Sequence, residues 1–383
     1  MPSDRPLRIV HVIYSGLGGH SAVMFSLLEA GFMGQADHHV VLAGIEEPPR
    51  DYTDRLDAIG VGWSHVGKHE GRAHLDFYRR LRRALFAPGT DVVYLHGVAA
   101  IPAVAMMLGR RRQGPVVVLR ETEPTQVKTR RVWVMLALAH LCTDAVVHLT
   151  TEAAADAQAK LHFLHRQTKV HVISNGLDTE FFSPAAAARR APEGVLRLGM
   201  QSRLQPTKDH LTLIEAFARL RAAYPDRTLV LEIAGDGPTR PAIKARIAAL
   251  GLGNHVTLHG MLGRDEVRDF LNRLDIYVHS SFGETQSNAI LQAMATGLPV
   301  VASDVPGISN MVRPGLGLLH RSADAGDLAG RIGQLIDDPA LARQLGQAAR
   351  AQAVSAYGAQ ASAHAWEALI TRLLGRSAPD APA

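Results

Sequence analysis

Short apolar, β-branched runs alternate along the chain with stretches whose apolar positions recur at helical spacing. This is the pattern of parallel α/β units, whose strands are buried on both faces and so lack polar alternation. In the first half, the runs at 8–14, 39–43, 92–95, 116–119, 145–149 and 170–173 predict strands, and helices are predicted over 21–31, 75–85 and 100–108. An Ala- and Pro-rich break from Ser183 to Pro192 follows, and then the pattern restarts. Strands are predicted over 196–201, 228–234, 255–259, 276–279, 299–303 and 318–320, each with a helix after it. A last helix over 360–374 precedes an Ala/Pro/Ser tail. Two consecutive open sheets are the economical architecture, giving domains over 1–187 and 188–360 and a terminal segment, 361–383, whose helix is placed to cross back to the first domain. Open α/β sheets bind ligands beyond the carboxyl ends of their strands, so the expected site is a cleft between the two sheets.

Composition narrows the class. Of 383 residues, 47% are hydrophobic and 20% charged, which excludes disorder, collagen-like repeats and coiled coil. A single cysteine, Cys142, excludes a disulfide framework and a multi-cysteine metal site, and points to a reducing compartment. The most apolar run, Val132 to Leu149, is interrupted by His140, Thr143, Asp144 and His148. It therefore predicts a helix over 131–141 and a strand over 144–149 rather than a membrane span of about 20 apolar residues. The opening apolar run, Leu7 to Tyr14, reads as a first strand and not as a secretion signal, so a cytoplasmic location is expected.

The net charge is +5, and four of those five charges fall within residues 1–190. They cluster in Arg79-Arg80-x-Arg82-Arg83, Arg110-Arg111-Arg112 and Lys128-x-Arg130-Arg131. Such clusters suit peripheral contact with an anionic membrane, such as the inner face of the plasma membrane, or are simply solvated helix ends and loops. With aromatics at 5% and no recognisable module, nucleic acid is not an expected partner.

The candidate chemistry lies at predicted strand ends. The first strand runs into Ser15-Gly16-Leu17-Gly18-Gly19-His20, a turn in which glycines admit close approach of a ligand and a helix start offers N–H groups to an anion. The third glycine of a dinucleotide fingerprint is replaced by Ser21, and a tight turn without a ligand is the plain alternative. In the second half, Arg203-Leu-Gln-Pro-Thr-Lys208 places two cations ahead of a predicted helix, where they oppose the helix dipole unless an anion compensates. Further on, Phe282-Gly-Glu284-Thr285-Gln286-Ser287-Asn288-Ala289 leads into a helix carrying Gln292, with the N–H groups of 285–289 turned to a ligand. Capping alone would also explain polar residues there.

Together with Asn175-Gly176-Leu-Asp178-x-x-Phe181, Ala234-Gly-Asp-Gly-Pro238 and Val256-x-Leu-His-Gly260, these segments stand in an order and spacing that resemble glycosyltransferase family 4 over nearly the whole length. The resemblance implies the α/β GT-B fold, two Rossmann-like domains facing across a cleft, and retaining transfer of a sugar from a nucleotide-sugar donor, expected to be a UDP-sugar. The expected acceptor is a glycan or lipid-linked molecule of surface polysaccharide synthesis. It implies catalytic roles for Glu284, near the transferred sugar, and for Arg203 and Lys208 on the donor diphosphate. Gly18 and Gly19 would approach that diphosphate from the first domain, and the chain at Gly260 and Met261 would contact the base.

The family's second glutamate is Gln292 here, a departure that keeps a carbonyl acceptor for the ribose and adds an NH₂ donor. Many members end the first domain's fourth strand with a histidine. Counted from the predicted strands, that position holds Glu121, a candidate for orienting the acceptor hydroxyl, with His96 one strand earlier as a candidate for substrate binding. Alternatively, Arg120-Glu121-Thr122-Glu123 forms a structural ion-pair cluster. No Asp-x-Asp occurs in the chain, so neither a metal nor another cofactor is expected and protein charges would stabilise the leaving diphosphate. Two other readings stay open: a GT-B sugar-nucleotide epimerase, and a catalytically silent nucleotide-sugar-binding homologue.

Overall fold

A computed structural model describes residues 5–15, 19–68, 74–108, 114–162, 164, 169–185 and 194–375. The chain divides into two compact units: Met1–Gly176 with Ala359–Ala383, and Leu177–Gly358. In the first, strands and helices alternate as β1 (Arg8–Tyr14), α1 (Gly19–Glu29), β2 (Asp37–Gly44), α2 (Arg50–Ala58), β3 (Gly62–Gly67), α3 (His74–Leu85), β4 (Val92–His96), α4 (Ile101–Ala105), β5 (Val116–Glu121), α5 (Arg130–Cys142), β6 (Ala145–His148), α6 (Thr151–Lys160) and β7 (Val170–Val172). The seven strands are parallel in the order β3-β2-β1-β4-β5-β6-β7. Val10, Val93, Leu95, Val117 and Leu119 bury one face under α3, α4 and α5, and Ile9, Tyr94, Val118 and Val147 bury the other.

The second unit comprises β8 (Val195–Gln201), α7 (His210–Ala223), β9 (Thr228–Ala234), α8 (Arg240–Ala249), β10 (Val256–Gly260), α9 (Arg264–Leu271), β11 (Ile276–His279), α10 (Asn288–Ala295), β12 (Val300–Ser303), β13 (Leu318–His320), α11 (Ala325–Asp337) and α12 (Pro339–Tyr357). Its parallel order is β10-β9-β8-β11-β12-β13. Leu198, Met200, Leu231 and Ile233 pack under α7 and α11, and Tyr277, Val300 and Ala302 pack under α10 and α12.

The division falls at Gly176/Leu177, earlier than the Ala/Pro-rich break suggests, because Leu177 and Phe182 are buried in the second unit's core. The last helix, α13 (Ala359–Leu373), belongs to the first unit, where Trp366, Leu369 and Ile370 pack with Tyr94, Val118 and Ile173. Gly176 sits against Ser362 and Ala359 so closely that an added Cβ would lie 2.8 Å from the Ser362 Cβ. Four elements, α2, β3, α6 and α12, lie where no element is predicted, and the helix expected after β12 is absent among the described residues, with β13 following directly. β3 is an edge strand with only Val66 buried, so it shows no apolar run. Its presence shifts the strand count: Glu121 ends the fifth strand and His96 the fourth. No described helix is long and apolar enough to cross a membrane.

Trp366 is buried with its ring 4.5 Å from Tyr94. Trp366→Ala is expected to lower the first unit's stability by about 3–5 kcal/mol, with unfolding of the second unit unchanged. Denaturant unfolding followed by hydrogen exchange checks this, and equal loss of protection in both units would contradict it.

Candidate functional site

In the second unit the carboxyl ends of β8 and β11 carry two loops stitched together. The Asp209 N–H donates to the Ser280 carbonyl at 3.2 Å, and the Phe282 N–H to the Thr207 carbonyl at 2.9 Å. Two serine hydroxyls add to these, Ser280 donating to the Asp209 carbonyl at 2.7 Å and Ser281 to the Thr207 carbonyl at 3.0 Å. Asp209 caps α7 by accepting the Thr212 N–H at 3.2 Å. The stitching brings Lys208 onto Glu284, and the ammonium donates to Glu284 Oε1.

Both side chains are largely buried, at 15% and 11% exposed. Burial, helped by the nearby Arg203 guanidinium, pushes the Lys208 ammonium down to about 7. Arg203 itself is exposed. Its loop lies against Gly235 and Gly237, which have φ of +128° and +152°, and side chains there would collide with the Ser202 and Leu204 carbonyl oxygens. The Gly-Asp-Gly motif therefore holds the cation loop in place: the Ser202 and Leu204 N–H groups donate to the Ala234 and Asp236 carbonyls at 3.0 and 2.8 Å. The Glu284 loop is pinned the same way by Gly307 (φ +85°), whose position leaves no room beside the Glu284 carbonyl.

Behind Glu284 lies His279, a histidine that the sequence does not single out. His279 Nε2 is 3.0 Å from Glu284 Oε1, and its Nδ1 is 3.2 Å from the Tyr277 hydroxyl. Burial holds His279 uncharged, so its one N–H is Nε2–H, which donates to the carboxylate, while the Tyr277 hydroxyl donates to the Gln201 carbonyl at 3.2 Å. Nothing in the sequence sets this histidine apart from the apolar strand it ends.

The helix expected after Glu284 begins at Asn288, with Ser287 as its cap accepting the Ile290 N–H at 3.5 Å. Thr285 and Gln286 therefore precede the helix; both are buried, as is Ser287, while Asn288 and Ala289 are half-buried. Gln292, one turn in, accepts a hydrogen bond at its Oε1 from Gln201 Nε2 at 3.0 Å. Gly260 ends β10 with φ +76°, its carbonyl accepting the Gly235 N–H at 2.7 Å, and Met261 beyond it is 53% exposed. Glu284, Lys208, Arg203 and the start of α10 are thus assembled at one strand edge, with Gln292 beside the end of β8.

In the first unit, Glu121 is buried beside Lys128, whose ammonium lies 3.4 Å from its Oε2, and Oε1 accepts the Glu123 N–H at 2.7 Å. Arg120 takes no part in this pair and donates instead to Asn175 Oδ1. The ion pair at this strand end is Glu121–Lys128, and the buried Lys128 leaves the surface cluster in which the sequence places it. His96 Nε2 is 3.3 Å from His11 Nδ1, and His11 Nε2 is 3.0 Å from His38 Nδ1. His38 Nε2 in turn faces the Phe32 carbonyl at 3.0 Å. That carbonyl requires a proton on His38 Nε2, and since burial keeps His38 and His11 uncharged, each ring donates through Nε2 and accepts at Nδ1. His96 is therefore held as the Nε2–H tautomer. Gly19 opens α1, while Gly18 and Arg110–Arg112 lie outside the described residues. Among the described residues, no group of three or more His, Cys, Asp or Glu is placed to hold a metal ion.

Burial also holds His210 down, to about 4. The unfolded chain takes up this proton near pH 6.5, so stability is lost as the pH falls from there, by about 3 kcal/mol at pH 4 for this group alone. Guanidinium midpoints measured between pH 7 and 4.5 are expected to fall for the second unit and to fall less in His210→Asn. Equal slopes in the two proteins would contradict this.

The model described as Glycosyltransferase Family 4 matches residues 17–181, and the model described as Glycosyl transferases group 1 matches residues 181–352. A D-inositol 3-phosphate glycosyltransferase of Arthrobacter sp. (strain FB24) is 31% identical over 215 residues, 54% of this chain and 51% of that protein. An MMP alpha-(1->4)-mannosyltransferase of Mycolicibacterium hassiacum is 29% identical over 236 residues, 60% of this chain and 55% of that protein. The chain spans about half the length of the curated relatives it matches.

Among solved structures, Anabaena Alr3699/HepE in complex with UDP and glucose has a TM-score of 0.80 at 19% identity, over 95% of this chain and 99% of that one. Sucrose-phosphate synthase from Thermosynechococcus elongatus has a TM-score of 0.82 at 18% identity, over 97% of this chain and 100% of that one. These likenesses carry the fold, two parallel-sheet α/β domains of the GT-B class. Matched by one model in its first half and by the other in its second, the chain belongs to glycosyltransferase family 4.

Proposed function

We propose that the protein is a retaining glycosyltransferase that moves a sugar from a UDP-sugar to a hydroxyl of a glycan or lipid-linked acceptor in surface polysaccharide synthesis. The observation that carries the proposal is the Lys208–Glu284 contact at the strand edge of the second unit, with Arg203 close by and the start of α10 in the same loop. When the bond from the sugar's anomeric carbon to the diphosphate breaks, negative charge grows on the leaving oxygens and positive charge on the ring. Lys208 and Arg203 neutralise the first, and Glu284 faces the second; preorganised charge of this kind is usually the largest catalytic contribution. The acceptor oxygen forms the new bond to the anomeric carbon, and its proton passes to the leaving phosphate oxygen. No metal enters this scheme. Gln292 holds the ribose, and the chain at Gly260 and Met261 lies along the base. A UDP-sugar donor agrees with the UDP, glucose and UDP-glucose in solved complexes of Alr3699/HepE.

The first unit takes the acceptor, with His96 and Glu121 as its candidate contacts, and offers Gly18 and Gly19 to the donor diphosphate. Its α3, α4 and α5 pack side by side and expose Leu75, Val134 and Leu141 at 51%, 59% and 50%, among the exposed Arg79, Arg83, Arg130 and Arg131. Such a face suits an anionic lipid surface. A second reading, a soluble phosphorylated polyol as acceptor, is favoured by the names of the relatives.

Lys208→Ala and Arg203→Ala are each expected to reduce turnover at least tenfold, since each removes a charge-assisted bond of about 1.5–3 kcal/mol, while melting remains cooperative. UDP release is the readout, and it should require acceptor, which an epimerase would not. Wild-type rates in either variant would overturn the diphosphate assignment. Because Lys208 is held near 7, pyrophosphate binding at pH 8 should take up protons beyond those the ligand itself exchanges, measured by calorimetry in buffers of different ionisation enthalpy, and this extra uptake should vanish in Lys208→Met. Extra uptake that persists in the variant would contradict this.

A further inference from the structure

Gln201 ends β8 and Gln292 stands one turn into α10, and the two side-chain amides meet at 3.0 Å, with Gln201 Nε2 donating to Gln292 Oε1. The other end of the Gln201 amide, Oε1, is buried with no hydrogen-bond partner among the described residues. Reversing both amides would put the Gln201 amino group in that place, burying two donors without an acceptor, which is costlier than an under-satisfied carbonyl. The pair therefore has a direction. Gln201 takes one of the two lone pairs of the Gln292 carbonyl and so fixes which way that amide faces, with its Nε2 hydrogens left to offer a ligand. A carboxylate at the same place would only accept.

We propose that Gln201 is a positioning residue that fixes the orientation of the Gln292 amide, so that this chain presents donor hydrogens to the ribose of its nucleotide where a glutamate at 292 would only accept. This rests on the reading above, in which Gln292 faces the ribose. The polarity of the contact is thereby set from β8, by a residue that itself stays off the nucleotide. Restoring the carboxylate or freeing the carbonyl should change which riboses are accepted more than it changes affinity for UDP itself.

Fluorine in place of a ribose hydroxyl separates the two cases, because it accepts weakly, cannot donate, and is repelled by a carboxylate. Dissociation constants are measured by calorimetry for UDP and its 2′-fluoro and 3′-fluoro deoxy analogues. In the wild type both analogues should bind within about threefold of UDP. In Gln292→Glu at least one should weaken by about tenfold relative to UDP, the scale of one hydrogen bond. Gln201→Met releases the Gln292 carbonyl, and Gln201→Glu, which cannot donate, forces Gln292 to turn its amino group away from the ribose. Both should raise the analogue-to-UDP ratio above the wild-type value, and a role limited to packing would leave it unmoved. Identical ratios in all four proteins, or a wild-type ratio already near tenfold, would overturn the proposal while leaving UDP binding intact. Failure of the wild type to bind UDP would overturn the donor reading and this proposal with it.

Discussion

The strand edge of the second unit is organised around one charge that is almost out of water. An ammonium moved into a protein interior loses several kcal/mol of hydration, and Lys208 has Glu284 as its counter-charge. The pair exists only because two loops from different strands are fastened to each other by four hydrogen bonds. Neither loop has a regular structure of its own, so the serines at 280 and 281 do here what a ladder does within a sheet. Tyr277 and His279 back the carboxylate from below, uncharged, and direct an N–H at it.

The glycines around this edge serve the same end. Gly235, Gly237 and Gly307 each lie against a backbone carbonyl with φ in the left-handed region, where a side chain would be strained and would collide. Their motif therefore reports how closely three chain segments are stacked. A ligand's phosphates would enter a site whose charges are already fixed, which is the condition under which electrostatic stabilisation costs least reorganisation.

Much of this was legible in the residues and some was not. Buried parallel strands are apolar runs bounded by turn residues, and those predicted over 8–14, 228–234, 276–279 and 318–320 form as expected. Edge strand β3 escaped because a strand with one buried residue leaves no such run, and α2 escaped because Leu56 alone is buried in it. The boundary between units was misplaced because composition marks an Ala- and Pro-rich stretch, whereas the boundary is set by which core takes Leu177, Phe182 and Trp366. At the site, Glu284 and Lys208 stand out by type and spacing. Their contact with each other, the support from His279 and the tie between Gln201 and Gln292 come from partners 76, 5 and 91 residues apart. The partner of Glu121 was hidden likewise: Lys128 reaches it only after the short turn at Thr125–Val127.

The most direct test is a double-mutant cycle on the unliganded protein, with Lys208→Met, Glu284→Gln and the two combined, read by denaturant unfolding of the second unit. A buried pair whose members compensate each other should cost more when one partner is removed than when both are, with a coupling of at least about 2 kcal/mol. Additive losses would mean that the ammonium and the carboxylate are held independently, and the account of this strand edge would fail.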